Sequence, residues 1–438
     1  MTGRARERAR IERLLWRAGF GGLPREVDRM AAMGLEPAVA DLLRPRGAIL
    51  RGRPARVEGR PLDPINAYGH DVLWWLDRAV RARHPLVERM TLNWHDHFAT
   101  SNAEVGDSRL MLAQYRTLRR GALGRFRDLA RAIASDRAMQ LFLSLANSDR
   151  NAPNENFARE LFELFTLGVN NGYTEADVRE AARALTGFTY DYATGRFGYD
   201  PGRHDDGVKR ILGRVGRFRP LDVVDIAVEH RAHPAFICRK LWGYFSPAPP
   251  PPATLRRLAR LYRRSGTDVR PVLREILTTK VLYAGLDEPD MVKPPFVYLA
   301  GLLRLTGTPI RDEQWVWRLD QMGQVPFNPP NVSGWEGGAA WLSTSAIRAR
   351  FDAASAVLQD RVAEGSIPRG ETPAAAIARA VAATGRPRVG PVTARALRRY
   401  ARSAVAGRTE KWEVDHYYPE RQRVLRHLLL AGPEAQVC

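Results

Sequence analysis

Carboxylate, amide and guanidinium side chains, the groups that bind substrates and transfer protons, crowd the stretch 154-NENFARELFELFTLGV-169. At about 100° per residue of an α-helix, its polar side chains fall within one arc of about 140°. This polar arc consists of Glu155, Asn156, Arg159, Glu160, Glu163 and Thr166. Two interpretations stay open. The arc is a solvated face whose glutamates pair with Arg159 at i, i+4 spacing, or it is a helix-borne carboxylate site, because Glu160 and Glu163 project the same way.

A second candidate is 94-WHDHF-98, which holds two histidines. Trp94 and His97 share the apolar stripe of the preceding helical pattern, so His97 is expected to be buried. Histidines two residues apart point in different directions on a helix, and only an extended segment would let both bind one metal. The structural alternative is a hydrogen-bonded core histidine beside a solvent-facing His95. The functional alternative is a metal ligand or an acid–base group.

Two loops add further candidates. The segment 204-HDDGVK-209 combines His204, Asp205 and Lys209 directly after a predicted hairpin, where backbone freedom allows polar groups to converge; a plain polar turn is equally compatible. The segment 326-PFNPPNVSGWEGGAAW-341 places Trp335 and Trp341 in a Pro/Gly-rich loop. These rings either pack the loop against the core or line a pocket in which they stack on a ligand such as a sugar ring or a base.

The remaining patterns are mostly helical and predict a mainly α fold, a multi-helical globular core with a small β-hairpin insertion. The aromatics Phe188, Tyr190, Tyr192, Phe197 and Tyr199 alternate around a Thr-Gly turn and predict the hairpin at 188–200. An exposed loop is expected at 44–64 and a proline-rich connector at 247–254. We expect residues 1–360 to form the helical core and 361–438 a small helical C-terminal appendage.

Composition limits the class of protein. The chain has 438 residues and 45% hydrophobic content, enough for a substantial core. Its net charge of +20 suits a polyanion, but only five of the 68 basic residues are lysine and the arginines are spread along the chain. Nucleic-acid binding is therefore the less favoured hypothesis. Two cysteines exclude a disulfide framework. The absence of an apolar span or visible signal peptide predicts no membrane insertion and a cytoplasmic location.

Seven segments together resemble the bacterial family catalogued as domain of unknown function 1800. They are 13-RLLWRAGFG-21, 88-ERMTLNWHDHFATS-101, 154-NENFARELFELFTLGV-169 with 173-YTEADVREAARALTGF-188, 204-HDDGVKRILG-213, 233-HPAFICRKLWGYF-245, 293-KPPFVYLAGLLRLTG-307 and 326-PFNPPNVSGWEGGAAWL-342. The resemblance covers about residues 10–350 and implies a largely helical fold without an established reaction. Relatives are often exported and encoded beside a sulfatase-like uncharacterised family, which implies a functional partner from that family. The polar arc belongs to the shared motif, which favours a site or a buried network there.

The sequence supports an enzyme hypothesis and a binding hypothesis. In the first, a site performs hydrolysis with a divalent metal ion, or acid–base transfer without one. The catalytic candidates are His97, Arg159, Glu160, Glu163, His204 and Asp205. The metal-ligand candidates are His95, His97, Glu160 and His204, and the ligand-binding candidates are His95, Asn156, Lys209, Trp335 and Trp341. In the second, a non-catalytic accessory protein holds a polymer or protein partner through the tryptophan loop and the arginine-rich surface.

Overall fold

The computed structural model describes residues 3–191, 193–359 and 367–438. In this part of the chain, helices dominate and the strands form three two-stranded antiparallel sheets, which confirms the predicted mainly α class. The first helices are α1 (Gly3–Arg17), α2 (Pro24–Met33), α3 (Leu35–Leu42), α4 (His70–Arg81), α5 (Pro85–His97), α6 (Asn102–Val105), α7 (Ser108–Gly121), α8 (Phe126–Ala134) and α9 (Arg137–Phe142).

The central helices carry the segments with most of the candidate side chains. They are α10 (Asn156–Glu160), α11 (Glu175–Ala184), α12 (Pro220–Glu229), α13 (His233–Gly243), α14 (Pro252–Arg264), α15 (Val269–Thr278), α16 (Pro295–Thr306), α17 (Gln314–Gln321) and α18 (Thr344–Ala356). A π-helix, Leu161–Thr166, continues α10 directly. The C-terminal helices are α19 (Pro373–Ala383), α20 (Pro391–Ser403), α21 (Lys411–Ala431) and α22 (Pro433–Gln436).

The strands are short and local. They are β1 (Arg56–Val57), β2 (Arg60–Pro61), β3 (Phe188–Asp191), β4 (Arg196–Tyr199), β5 (Lys209–Ile211) and β6 (Arg214–Gly216), paired in sequence order. The β3–β4 pair confirms the predicted hairpin at 188–200, with Phe188 opposite Tyr199; Tyr192 lies outside the described residues. The predicted loop at 44–64 also contains the β1–β2 pair, and α14 begins inside the predicted connector at Pro252, because proline is tolerated in the first turn of a helix.

Two large apolar clusters build the core. One joins α1–α3, α5 and α8 to α11–α15 and the π-helix, and the other joins α4 and α7 to α16–α18. A smaller cluster holds α19, α20 and α21 together through Ala376, Leu397 and Leu425. The predicted division into 1–360 and 361–438 stays a prediction, since its boundary lies among residues 360–366, outside the described part. No helix among the described residues is long and apolar enough to span a membrane.

Candidate functional site

A cavity of about 1030 Å3 lies between five segments that are distant in sequence. Its walls come from α5, from α13, from the turn at 167–171 after the π-helix, from 290–294, and from the loop that carries the two tryptophans. We call residues 326–342 the tryptophan loop. Trp335 and Trp341 both line the cavity, as one of the two sequence interpretations expected. The size is that of a pocket for a ligand larger than a single ion.

Arg89 on α5 lines this cavity although it is only 2% exposed. Its Nε and Nη1 atoms are buried and have no hydrogen-bond partner among the described residues. Burial lowers the pKa of Arg89 to about 10, so the guanidinium still carries its charge at neutral pH. A buried charge without a partner costs several kcal/mol unless another group compensates it. Asp96 and the chain terminus at Cys438 attract this charge through space, but no described residue forms a hydrogen bond to Nε or Nη1.

Arg350 on α18 is a buried arginine whose two Nη atoms have hydrogen-bond acceptors, although its Nε, like that of Arg89, has no partner among the described residues. It is 1% exposed, and burial likewise lowers its pKa to about 10. Its Nη2 donates to the Lys293 carbonyl oxygen at 2.7 Å and its Nη1 donates to Gln436 Oε1 at 3.2 Å, while the guanidinium lies 5.0 Å from the Tyr298 ring centroid. Burial alone therefore does not explain why Arg89 lacks partners.

Asp96, seven residues after Arg89 on the same helix, also lines the cavity. Burial raises the pKa of Asp96 to about 6, although a hydrogen bond from the backbone N–H of Trp335 lowers it. That N–H donates to Asp96 Oδ1 at 2.9 Å, so the tryptophan loop is anchored on this carboxyl. A carboxyl with a pKa near the working pH can both accept and return a proton.

Three further polar side chains of the cavity were missed by the sequence analysis. Asn93 lies between Arg89 and Asp96 on α5, while Lys240 and Tyr244 lie one turn apart on α13. The hydroxyl of Tyr244 is buried and makes no hydrogen bond of normal geometry with a described residue. The signal was present in the sequence, because positions 89, 93 and 96 follow the i, i+4, i+7 spacing of one helical face.

His95 does not face solvent, contrary to the structural alternative considered for it. It is 1% exposed because α5 is buried on nearly all sides. The N–H of Phe327 donates to His95 Nε2 at 3.0 Å, and the rings of Trp75 and Trp335 pack against the imidazole. Phe327 has a φ of 67°, an uncommon value for a residue with a side chain. His95 therefore holds the start of the tryptophan loop in an unusual backbone conformation.

His97 is buried, as predicted, and fixes a different wall of the cavity. Its Nε2 donates to the Phe165 carbonyl oxygen at 3.1 Å. His233 acts beside it, since its Nδ1 donates to the Thr166 carbonyl oxygen at 2.8 Å and its Nε2 accepts from the Tyr262 hydroxyl at 2.8 Å. Both carbonyls end the π-helix, whose i→i+5 pattern leaves them without the usual partners. The two histidines thereby position the turn at 167–171.

The two histidines of 94-WHDHF-98 thus bind different walls, and the aspartate between them faces the cavity. This follows from the α-helical geometry of α5, which separates neighbouring side chains by about 100°. His95 binds the tryptophan loop and His97 binds the end of the π-helix, while Asp96 lines the cavity.

The polar arc lies outside the cavity lining. Arg159 bonds to Glu155 at 3.1 Å, to Glu175 at 2.8 Å and, more weakly, to Glu163 at 3.5 Å. These side chains are a quarter to two-thirds exposed. Asn156 is exposed, and burial together with the neighbouring Glu163 raises the pKa of Glu160. The geometry matches the ion-pair ladder considered from the sequence.

Arg159→Ala is expected to lower the free energy of unfolding by no more than about 1 kcal/mol, because partly exposed ion pairs are screened by water. Urea unfolding measures this change. Arg159→Lys serves as the control that keeps the charge. A loss of about 3 kcal/mol or more would show instead that the arc is a buried network essential to the fold.

The segment at 204–209 forms its own polar network on α11. His204 Nδ1 lies 3.0 Å from the Thr186 carbonyl oxygen, and Asp205 Oδ2 accepts from Arg183 Nε at 2.6 Å. Burial opposes ionisation of Asp205, but Arg183 and the Gly207 N–H hold its pKa below the usual range. Lys209 is buried, and its Nζ donates to the carbonyl oxygens of Asp205 and Gly207. These residues also lie outside the cavity lining.

The structure does not support the hypothetical metal site. No group of three or more His, Cys, Asp or Glu side chains among the described residues is placed to hold a metal ion. The candidate ligands are dispersed: His95 faces the tryptophan loop, His97 the π-helix and His204 the end of α11, while Glu160 lies in the polar arc. The physical reason is that each histidine ring already binds a backbone group.

The buried titratable groups predict a loss of stability in acid. Burial lowers the pKa of His95 to about 3, of His233 to about 4, and of His97 well below its ordinary value. These histidines take up protons only on unfolding, so their contribution to stability is complete above about pH 6.5 and decreases as the pH falls. Asp96 and Asp136 act in the opposite direction, because burial raises both pKa values to about 6.

Between pH 6 and pH 4 the three histidines bind protons in the unfolded chain but not in the folded one. The two carboxyls, in contrast, bind protons in the folded chain but not in the unfolded one. These five groups should therefore contribute a fall of about 1.4 kcal/mol per pH unit to the free energy of unfolding. Asp96→Asn removes one folded-state proton and should steepen the measured slope by about 1.4 kcal/mol per pH unit. Denaturant unfolding at several pH values measures both slopes. Equal slopes would contradict the raised pKa of Asp96.

The fold and the cavity define a mainly α-helical protein with a polar internal site. The model of the family described as "Protein of unknown function (DUF1800)" matches residues 13–437, and the chain belongs to this family. The match confirms the resemblance seen in the motifs and extends it beyond residue 350. No curated protein and no solved structure is significantly similar to the chain.

Proposed function

We propose that the cavity is the active site of an enzyme that binds a negatively charged substrate at Arg89 and transfers protons through Asp96. One observation carries this proposal: a fully buried, charged arginine without a hydrogen-bond partner among the described residues lines the same cavity as a carboxyl whose pKa is about 6. Hydrolysis is the reaction class that these groups support best.

The cost of removing the Arg89 guanidinium from water supports ligand binding as the role of this residue. A guanidinium binds a carboxylate or a sulfate through two parallel hydrogen bonds, which are among the stronger ones in proteins. An anion bound in the cavity beside the Arg89 guanidinium would compensate part of the buried charge. Binding would then recover energy that the ligand-free protein lacks, as expected of a site evolved for a charged substrate.

Asp96 supplies the chemistry in this proposal. As a carboxylate it takes a proton from a water molecule that attacks the substrate, and as a carboxylic acid it returns that proton to the leaving group. Asp96 rather than a bound metal is assigned this role because no described group of side chains fits a metal. Lys240 and Tyr244 line the cavity beside Asp96 and would stabilise negative charge that develops on the substrate.

A non-catalytic binding protein is the second candidate. It is favoured by the two tryptophans in the cavity wall and by the structural hydrogen bonds of the sequence-predicted histidines. In that case Arg89 and the tryptophan loop would retain the ligand unchanged. The two candidates share the binding site and differ only in whether Asp96 acts.

The test compares wild type with Arg89→Met and Asp96→Asn in a thermal-shift screen of small anions, in which each organic anion is paired with a neutral analogue. The probes are acetate, D-glucuronate, sulfate and phosphate, with acetamide and D-glucose as neutral controls. At least one anion should stabilise wild type and Asp96→Asn but not Arg89→Met. Glu160→Gln and His204→Ala should respond as wild type does. Stabilisation that is equal in wild type and Arg89→Met for every anion would refute the proposal.

Turnover separates the enzyme from the binding protein. Any stabilising ligand is incubated in ester, amide or glycoside form with wild type and Asp96→Asn, and products are followed by mass spectrometry. Product formation by wild type alone supports the enzyme. Binding by both variants without product supports the second candidate.

A further inference from the structure

The charges of the cavity limit the charge of its ligand. Three cationic and three carboxylate side chains line it, namely Arg89, Arg239, Lys240, Asp96, Asp290 and Glu336. The carboxylate of Asp290 is already paired with Arg17. Without Asp290, three cations and two carboxylates remain, so the lining carries a net charge of +1 when Asp96 is ionised and +2 when Asp96 binds a proton. A ligand with one negative charge fits this balance, whereas a nucleotide with several phosphate charges would meet Asp96 and Glu336 unfavourably.

The tryptophan loop gives the cavity an aromatic wall. Trp335 is nearly buried, and its ring packs against His95 at a centroid distance of 5.6 Å. Trp341 is more exposed and lies beside Gly337, where an added Cβ would be 3.6 Å from the Trp341 ring. A glycine there leaves the ring uncovered by a side chain. A partly exposed tryptophan ring in the cavity wall suits the apolar face of a sugar ring.

Two amide side chains in the cavity lining are suited to bind hydroxyl groups of a ligand. Asn93 and Asn170 line the cavity from two different segments, one on α5 and one in the turn at 167–171. Among the described residues, the Nδ2 of Asn93 contacts only the Met90 sulfur, at 3.6 Å, a weak contact. Amides both donate and accept, as hydroxyl groups require. The volume of about 1030 Å3 exceeds the need of a single ring.

We propose that the ligand is an acidic saccharide of at least two rings. Its single negative charge, a carboxylate or a sulfate ester, binds Arg89, and a neighbouring ring stacks on Trp341. This inference rests on the proposed function, because it names the chemical class of the substrate for the same site. The negative charge of the ligand is inferred from the Arg89 guanidinium. The preference for a sugar is inferred independently, from the tryptophans in the cavity wall.

Calorimetric titration with four matched ligands tests the inference. Cellobiouronate and cellobiose 6′-sulfate carry the required charge, cellobiose is the neutral control, and adenosine monophosphate is the anion that carries a nucleobase in place of a second sugar ring. At least one acidic disaccharide should bind wild type at least about tenfold more tightly than cellobiose. Trp341→Ala should weaken that binding about tenfold, whereas Trp317→Ala, at a site 58% exposed and outside the cavity lining, should leave it unchanged.

The outcomes separate the inference from the proposed function. Binding of adenosine monophosphate that requires Arg89, without binding of either acidic disaccharide, overturns the saccharide class and leaves the anion site intact. Binding of an acidic disaccharide that is insensitive to Trp341→Ala overturns the stacking role. Ligand binding that is unaffected by Arg89→Met refutes the proposed function, and the inference with it. The relative affinities of the two acidic disaccharides identify the carboxylate or the sulfate as the charge.

Discussion

Arg89→Met should make the ligand-free protein more stable while abolishing anion binding. Methionine keeps much of the volume of arginine and removes a buried charge that has no hydrogen-bond partner among the described residues. Replacing buried charged groups by apolar ones of similar size often stabilises by about 1–4 kcal/mol. Denaturant unfolding in a buffer without binding anions measures the gain, and the thermal-shift screen measures the loss of binding.

Arg350→Met is the matched control. Arg350 is equally buried and has a similarly lowered pKa, but it donates to Lys293 and Gln436. Removing it leaves these acceptors unsatisfied, so the free energy of unfolding should fall by about 2–4 kcal/mol. Opposite signs for the two substitutions would identify Arg89 as a residue kept for function at a cost in stability. Equal destabilisation would show that Arg89 has a structural partner.

Gly334→Ala should displace the tryptophan loop and abolish ligand binding. Gly334 has a φ of 84°, and a Cβ there would lie 2.4 Å from Asp96 Oδ1 and 2.5 Å from the Asp96 carbonyl oxygen. The backbone and the carboxyl of Asp96 cannot move away from this Cβ without breaking the hydrogen bond from the backbone N–H of Trp335. Strain of the left-handed conformation and overpacking together should cost about 2–4 kcal/mol. Unfolding and ligand titration measure the two effects.

Gly338→Ala provides the comparison for Gly334. Gly338 belongs to the same loop and also has a positive φ, 59°, but an added Cβ would meet nothing within 4 Å. Its substitution should cost only the backbone strain, about 1 kcal/mol, and should preserve binding. If both variants behave alike, the contact between Gly334 and Asp96 does not define the cavity.

Local sequence signals predicted the secondary structure well where they are self-contained. Thr174 and Asp177 have the residue types and spacing of a capping box, and they form one at the start of α11: the Asp177 N–H donates to Thr174 Oγ1 at 3.2 Å and the Thr174 N–H donates to Asp177 Oδ2 at 2.9 Å. The aromatic alternation at 188–200 forms the predicted hairpin. Both patterns depend on residues within a few positions of one another, so the sequence alone specifies them.

The π-helix could not be predicted in the same way. A constant turn of about 100° per residue was assumed for 154–169, but the chain changes to i→i+5 bonding at Leu161–Thr166. That change is stabilised by His97 and His233, which lie 68 and 67 residues away from the carbonyls they bind. A contact between such distant segments carries no local sequence signal.

The site itself was predicted in part. The segments 94-WHDHF-98 and the tryptophan loop do meet at one cavity, as a site composed of several motifs requires. The assignment within the first motif went to its histidines, because buried histidines are common acid–base groups, and Asp96 was passed over. Only the packing around α5 shows that both histidines bind backbone groups while Arg89, Asn93 and Asp96 share the face toward the cavity.

The most direct test of an anion site at Arg89 is a crystal structure of the protein grown with sodium bromide, with bromide located by its anomalous scattering. The account predicts a bromide ion in hydrogen-bonding contact with the Arg89 guanidinium inside the cavity, and no such ion in crystals of Arg89→Met. A cavity without bromide at Arg89, or an ion at the same position in the variant, would contradict it.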